Sequence, residues 1–461
     1  MNRYSNRVSR RDFLRVAGLG GVGIALAACA APPAAAPTQP SGTQPTTAPQ
    51  EAPATGAAVE IELWTPHPLD ENIKINEFIP KTFETQHPDI KLKFTRVPTE
   101  WEQKFRTAAA GGTLPDLFAV DGINVPAYTS RGLTAEIVAV DPKVLDDFYP
   151  SARAEMEFEG RVYASVLETN SQAMRVNMDM LEKAGVGVPT SWDELVTNGQ
   201  QLTLDQSGKK ANEAGFDPNA LKQAAFETWC CTGEGATWMI LSWIWSNGGD
   251  VYDANRKVTF ADAPAVEAIQ FLSDLVNKHY IWPKAGAMQA GPEGTFYGQL
   301  VAMGETGAFD LANLTQGNPP KFKWDIAVAP PKEAGGKFVS GVGGWLVSAY
   351  KSGKNIPQSL EFLKFMMGDD WQLHTSKFGY ALTGRKSIAA QRVKEVPQLQ
   401  VFIDAMLAGR ARPRSSEYPT MTEAMQVAFD ESIFGTRPPQ EAMADAAKKI
   451  EEALQKEASS K

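Results

Sequence analysis

The chain has 461 residues, with 45 Lys and Arg against 54 Asp and Glu and a formal net charge of −9. Arg3, Arg7, Arg10, Arg11 and Arg15 all precede residue 28, where Asp12 is the sole acid, so the remainder is more acidic than the whole. Such a surface argues against nucleic acid or an anionic membrane as partner, because both need clustered Lys and Arg. His67, His87, His279 and His374 show no paired spacing and there is no Cys-x-x-Cys, so no structural zinc, other metal or cofactor is expected.

The first thirty residues read as an address. Ser9-Arg10-Arg11-Asp12-Phe13-Leu14-Arg15 resembles a twin-arginine export signal, and the apolar run from Val16 ends in Leu26-Ala27-Ala28-Cys29, which resembles a lipobox. The run is shorter than the roughly 20 residues a spanning helix needs, so residues 1–28 are expected to be a signal peptide and Cys29 the lipidated first residue of the mature chain. Its Gly18-x-Gly20-x-x-Gly23 spacing follows only a charged leader, with no strand before it, and carries no dinucleotide-binding content. Residues 29–58, almost wholly Ala, Pro, Thr, Gln, Ser and Gly, have no large apolar side chains to offset the entropy of ordering and are expected to be a disordered tether. The expected location is extracytoplasmic, with membrane attachment only through the lipid.

From Val59 onward the periodicities alternate. Val59–Trp64 and Lys91–Val97 have the two-residue period of strands, Phe78–Thr85 and Thr99–Ala110 read as helices, and Asp116–Val120 as a short buried strand after the Gly111–Pro115 break. This order predicts an open α/β sheet whose ligands collect at the carboxyl ends of its strands, where Trp64 and Asp121 fall. Later, Ala261–Tyr280 carries Val266, Ile269, Leu272, Leu275 and Val276 on one helical face, and Pro438-Pro439 opens a last helix with Met443, Ala446, Ile450 and Leu454 inward. Cys230 and Cys231 are adjacent. Neighbouring Cα atoms sit about 3.8 Å apart, short of the usual disulfide span, so the expectation is two reduced, partly buried cysteines, with a vicinal disulfide the alternative in an oxidising compartment.

Several stretches in order carry a family resemblance: Phe83-Glu-Thr-Gln-His-Pro88, Ala108-Ala-Ala-Gly-Gly-Thr-Leu-Pro-Asp-Leu117, Glu168-Thr-Asn-Ser-Gln-Ala-Met-Arg-Val-Asn177, Pro189-Thr-Ser-Trp-Asp-Glu-Leu195, Trp245-Ser-Asn-Gly-Gly-Asp250, Gly298-Gln-Leu-Val-Ala-Met303 and Gly343-Gly-Trp-Leu-Val-Ser348. Together they resemble the extracellular solute-binding proteins of ATP-driven sugar importers, the group that includes maltose-binding protein. The resemblance implies a two-lobed α/β receptor, residues 59–168 with 309–364 forming one lobe and 169–308 with 365–461 the other. It places three crossings near Glu168–Ser171, Ala308–Asp310 and Phe365–Gly368, and implies a monomer that passes its ligand to the permease subunits of an ABC transporter powered by a separate ATPase. Gly304-Glu-Thr-Gly-Ala-Phe-Asp310 departs from the family's pattern at the second crossing.

A sugar presents apolar C–H faces bordered by hydroxyls, so its site needs aromatic platforms and paired polar groups. The candidate platforms are Trp64, Trp243, Trp245 and Trp345, the last entered through the slim backbone at Gly343. The candidate polar partners are Glu100, Asp121, Glu168, Asn170, Asp310 and Arg385, since carboxylates, amides and guanidinium groups pair with hydroxyls. A glycerol phosphodiester or a polyamine remains an alternative ligand within this fold, and a secreted glycoside hydrolase the competing class. Against catalysis, the chain has no Gly-x-Ser-x-Gly elbow and no His-Glu-x-x-His.

Overall fold

The computed structural model describes residues 58–459 apart from 232, 285–286, 289–293, 318 and 380–381. The expected signal peptide, the expected lipidation residue Cys29 and nearly all of the expected tether lie outside the described residues. Fourteen strands are described. In the first sheet they are β1 (Val59–Thr65), β2 (Ile90–Arg96), β3 (Leu117–Asp121), β6 (Ser165–Val166) and β13 (Trp345–Ala349). The second contains β7 (Gln172–Asn177), β8 (Leu204–Asp205), β9 (Leu221–Glu227), β10 (Val301–Gly307) and β11 (Trp324–Ala327). Two small pairs complete the set, β4 (Glu157–Phe158) with β5 (Arg161–Val162) and β12 (Gly341–Val342) with β14 (Arg410–Ala411).

The first sheet runs β2-β1-β3-β13-β6. β1 alternates, burying Ile61, Leu63 and Thr65, and lies parallel to β2 with Ile61 opposite Leu92. β3 is central and buries Leu117 to Val120 on both faces, the pattern of a covered inner strand. β13 lies antiparallel to it and sets Trp345 directly opposite Asp121. Sequence periodicity thus located β1, β2 and β3 to within a residue or two, with the helix Trp101–Gly111 between the last two.

The second sheet runs β11-β7-β10-β9-β8, with β10 parallel to β9 and antiparallel to β7. All seven residues of β10 are buried. The helix Glu234–Ser246 packs beside this sheet with ten of its 13 residues buried, so it is apolar on every side, as a core helix must be. The helices Ala263–Asn277, Tyr418–Ile433 and Pro439–Ser459 surround it in one hydrophobic core.

Two stretches fall differently from the lobe expectation. Trp324–Ala327, assigned to the first lobe, pairs with β7 of the second sheet through Ile326 opposite Arg175. Helix Asp369–Phe378, assigned to the second lobe, carries Trp371 into the core of the first sheet, edge-on to Phe362 and Phe365. Gly368 ends one helix and opens the next, so the backbone turns there and stays with the first sheet. The cysteine expectation is also corrected: Cys230 and Cys231 are disulfide-bonded across a cis peptide, with Cα atoms 3.0 Å apart rather than at the trans spacing assumed from sequence.

Candidate functional site

The carboxyl ends of the first sheet and the loops of the second open onto one cavity of about 550 Å³. Its walls come from separate parts of the chain. Asp121 ends β3, Trp345 begins β13 across from it, and Glu168 and Asn170 lie in the link from β6 to β7. From the other side come Trp229 beyond β9, Glu234 and Trp238 in the helix Glu234–Ser246, and Phe309 in the turn after β10. Phe378 and Arg412 also line the cavity, with His67, Asn72 and Asn313.

Close backbone approach explains the glycines. Gly343 and Asn170 exchange backbone hydrogen bonds of 2.6 and 3.1 Å, and a Cβ on Gly344 would overlap the Glu168 carbonyl. Gly307 leaves room for the Phe309 ring in the same way. The unusual Gly304–Asp310 stretch is therefore a buried strand followed by a tight turn, which delivers Phe309 to the cavity while the Phe309 N–H donates to Asn170 Oδ1 at 3.2 Å.

The charges form one network. Arg412, 5 % exposed, donates through Nη2 and Nη1 to the two Asp121 oxygens at 2.7 and 3.1 Å and through Nη1 to Glu234 Oε1 at 2.7 Å. Tyr418 Oη and Thr422 Oγ1 donate to the same Glu234 carboxylate at 2.5 and 2.6 Å. Burial works against the Arg412 charge, but Asp121 and then Glu234 outweigh it and hold the guanidinium protonated well above its ordinary value. Glu168 has no such cation: burial pushes its carboxyl up to about 8, although the Asn170 Nδ2 hydrogen bond of 2.8 Å opposes the shift and Asp121 adds to it. Beneath Gly344, fully buried Glu155 is likewise pushed up to about 8, with Arg412 opposing. At neutral pH the cavity thus presents a protonated carboxyl at Glu168, amides, aromatic faces, and charges already satisfied by one another.

Asp121, Glu168, Asn170, Gly343 and Trp345, all picked from sequence, line this cavity. Six other candidates do not. Trp243 is 0 % exposed in the second core and donates Nε1 to Glu305 Oε2 at 3.0 Å, because its helix is buried all round. Trp245 is buried too, its Nε1 bound to Asp250 Oδ1 at 3.0 Å. Asp310 turns away beside Phe309 to accept from Arg175 Nη1 at 2.8 Å. Arg385 is held by Asp147 at 2.5 Å and the Met367 carbonyl at 2.8 Å. Trp64 and Glu100 line a separate cavity of about 440 Å³ with Arg96 and Lys104, Glu100 in the left-handed region at φ 54°.

From sequence, Trp229 and Trp238 read as core residues ahead of platforms, and Glu234, Phe309, Phe378 and Arg412 were not selected, yet all six line the cavity. Trp229 was within reach: it lies two residues past the end of β9, the kind of strand-end position that singled out Asp121 at the end of β3. Arg412 carries no local signal, because its partners Asp121 and Glu234 lie 291 and 178 residues away.

A two-sheet body with a cavity fed by the strand ends and links of both sheets is the architecture of a solute receptor. Residues 79–401 match the family of bacterial extracellular solute-binding proteins, and the chain belongs to that family. Its relatives include the arabinooligosaccharide-binding protein of Bacillus subtilis, 23% identical over 68% of this chain and 70% of that protein. The multiple sugar-binding protein of Streptococcus mutans is 23% identical over 62% of this chain and 66% of its own length. Among solved structures, maltose-bound MalE3 of T. maritima is similar with a TM-score of 0.73 at 23% identity, covering 86% of this chain and 99% of that one. UgpB from Mycobacterium tuberculosis, in complex with glycerophosphocholine, is similar with a TM-score of 0.72 at 18% identity over 87% and 99%. These likenesses establish the two-lobed binding-protein fold.

Proposed function

We propose that this chain is a lipid-anchored extracytoplasmic receptor that captures an uncharged carbohydrate in the cavity and delivers it to the permease of an ABC importer. The observation that carries the reading is the lining itself. Trp229, Trp238, Phe309 and Trp345 offer flat apolar surface, and Asp121, Glu168 and Asn170 offer acceptors and donors at its edge, the pairing that a polyhydroxylated ring requires. The ligands of relatives and structural neighbours, arabinooligosaccharide and maltose among them, support the same class. A glycerol phosphodiester would bring a negative phosphate to a cavity whose guanidinium is engaged by two carboxylates, which favours the neutral ligand.

A thermal-shift series over mono-, di- and trisaccharides, glycerophosphocholine and a polyamine tests the ligand class. A sugar at 100 times its dissociation constant should stabilise by about 2.7 kcal/mol. Stabilisation by the phosphodiester or the amine alone would overturn the carbohydrate assignment, and turnover of a sugar into shorter products would favour a hydrolase. For the anchor, Cys29→Ser should release the protein from the membrane fraction, and an unacylated Cys29 in membrane-extracted protein would refute lipidation.

A further inference from the structure

Trp229 is 47 % exposed, yet its ring is held on two sides. Phe309 lies against it with centroids 5.5 Å and planes 22° apart. Gly235 lies under its edge, so near that a Cβ there would come within 2.9 Å of the indole Cε3. Trp229 itself belongs to neither β9, which ends at Glu227, nor the helix that begins at Glu234. What constrains the backbone beside it is the next pair of residues, since Cys230 and Cys231 are bonded to each other. Cys231 is buried in the second hydrophobic core and Cys230 is packed, partly buried, against it. A bond between these adjacent residues closes a small covalent ring around the Cys230–Cys231 peptide, and with Cys231 buried in the core it fixes the backbone on the C-terminal side of Trp229 and limits how far that residue can carry its indole from its place.

We propose that the Cys230–Cys231 disulfide is a clip that positions the Trp229 indole as a ligand platform at the cavity, and that its reduction to two thiols weakens ligand binding without unfolding the protein. The ligand's identity rests on the carbohydrate reading, whereas the clip does not. The reductant is a small dithiol. One of its thiolates attacks the partly exposed Cys230 sulfur, expels the Cys231 thiolate and leaves a mixed disulfide. Its second thiolate then closes on the reagent's own sulfur and expels Cys230. Two electrons and two protons pass to the cysteines, and the dithiol departs as a cyclic disulfide.

The test uses the full chain oxidised, treated with dithiothreitol, and as the Cys230→Ser, Cys231→Ser double variant, each with and without Trp229→Ala. Acrylamide quenching of the emission that Trp229→Ala removes reports the indole's exposure with no sugar present. Its quenching constant should rise about twofold or more on reduction, as the ring leaves the shelter of Phe309. With maltotriose as calorimetric probe, affinity should fall about fivefold or more, the low end for a lost stacking contact, and the double serine variant should match the reduced protein. In Trp229→Ala, reduction should leave the affinity unchanged, and the melting midpoint of reduced wild type should stay well above the titration temperature. Equal quenching in both redox states, an affinity loss that persists in Trp229→Ala, or alkylatable thiols in protein from an oxidising medium overturns the proposal. If maltotriose does not bind at all, the choice of sugar fails, and the quenching still decides the clip.

Discussion

Trp345 shows how one residue joins sequence logic to the cavity. It follows Gly343 and Gly344, stands opposite Asp121 across two strands, and meets the His67 ring edge-on with centroids 4.6 Å apart. Only part of the indole is buried, so Trp345→Ala is expected to lower sugar affinity by about 1–3 kcal/mol, with a smaller loss of stability than the roughly 3–5 kcal/mol of a core Trp. Calorimetric titration and a denaturant melt on the same variant check both numbers, and unchanged affinity rejects the platform. The buried acids make a second prediction. Burial lifts Glu155 and Glu168 to about 8 and Glu305 to about 7, from an ordinary value of 4.5. The folded protein therefore keeps protons that the unfolded chain releases, so these groups' contribution is complete below about pH 4.5 and is lost as pH rises toward 8. The melting midpoint should fall between about pH 5 and pH 8, and Glu155→Gln should flatten that fall by removing one of the three groups. Asp121, Glu168 and Trp345 were legible from sequence because strand ends and slim glycine pairs leave local marks. Trp243 misled because a buried helix and a platform-bearing one share the same composition.

At the scale of elements, short-range periodicity gave β1, β2, β3 and the helices Trp101–Gly111, Ala263–Asn277 and Pro439–Ser459, since each depends on its own residues. Membership of β11 and of the helix Asp369–Phe378 depended on partners far along the chain, and no local pattern records those. The link between β7, β9 and the turn after β10 is of this non-local kind. Arg175 of β7 binds Asp310 at 2.8 Å and Glu227 of β9 at 3.3 Å, and its guanidinium lies over Phe296 at 4.9 Å. Thr295 and Tyr297 add hydrogen bonds to the same carboxylates. Arg175→Met should cost about 2–3 kcal/mol, somewhat under the loss for a fully buried pair because Arg175 is 16 % exposed. Urea melts of Arg175→Met, Asp310→Asn and the double variant measure it: strong non-additivity is expected, and additive losses would show that β7 and the turn after β10 are not joined through this pair.

At the scale of the molecule, Arg412 connects Asp121 at the end of the first sheet to Glu234 at the head of the helix packed with the second. The tie is made by the protein's own side chains, and its thermodynamic meaning concerns populations. A ligand's observed affinity is its intrinsic affinity weighted by the fraction of molecules already arranged to receive it. Arg412→Lys keeps the charge and loses the two-pronged grip on Asp121. If the tie sets that fraction, the substitution should lower affinity for every sugar by one common factor and leave their ranking intact, which titration of three or more sugars resolves. A change of ranking would instead assign Arg412 to direct reading of the ligand. Selectivity would then be written in the cavity wall, while sensitivity, the sugar concentration at which the receptor fills, would be set by a single guanidinium and free to drift through substitutions there without altering what is recognised.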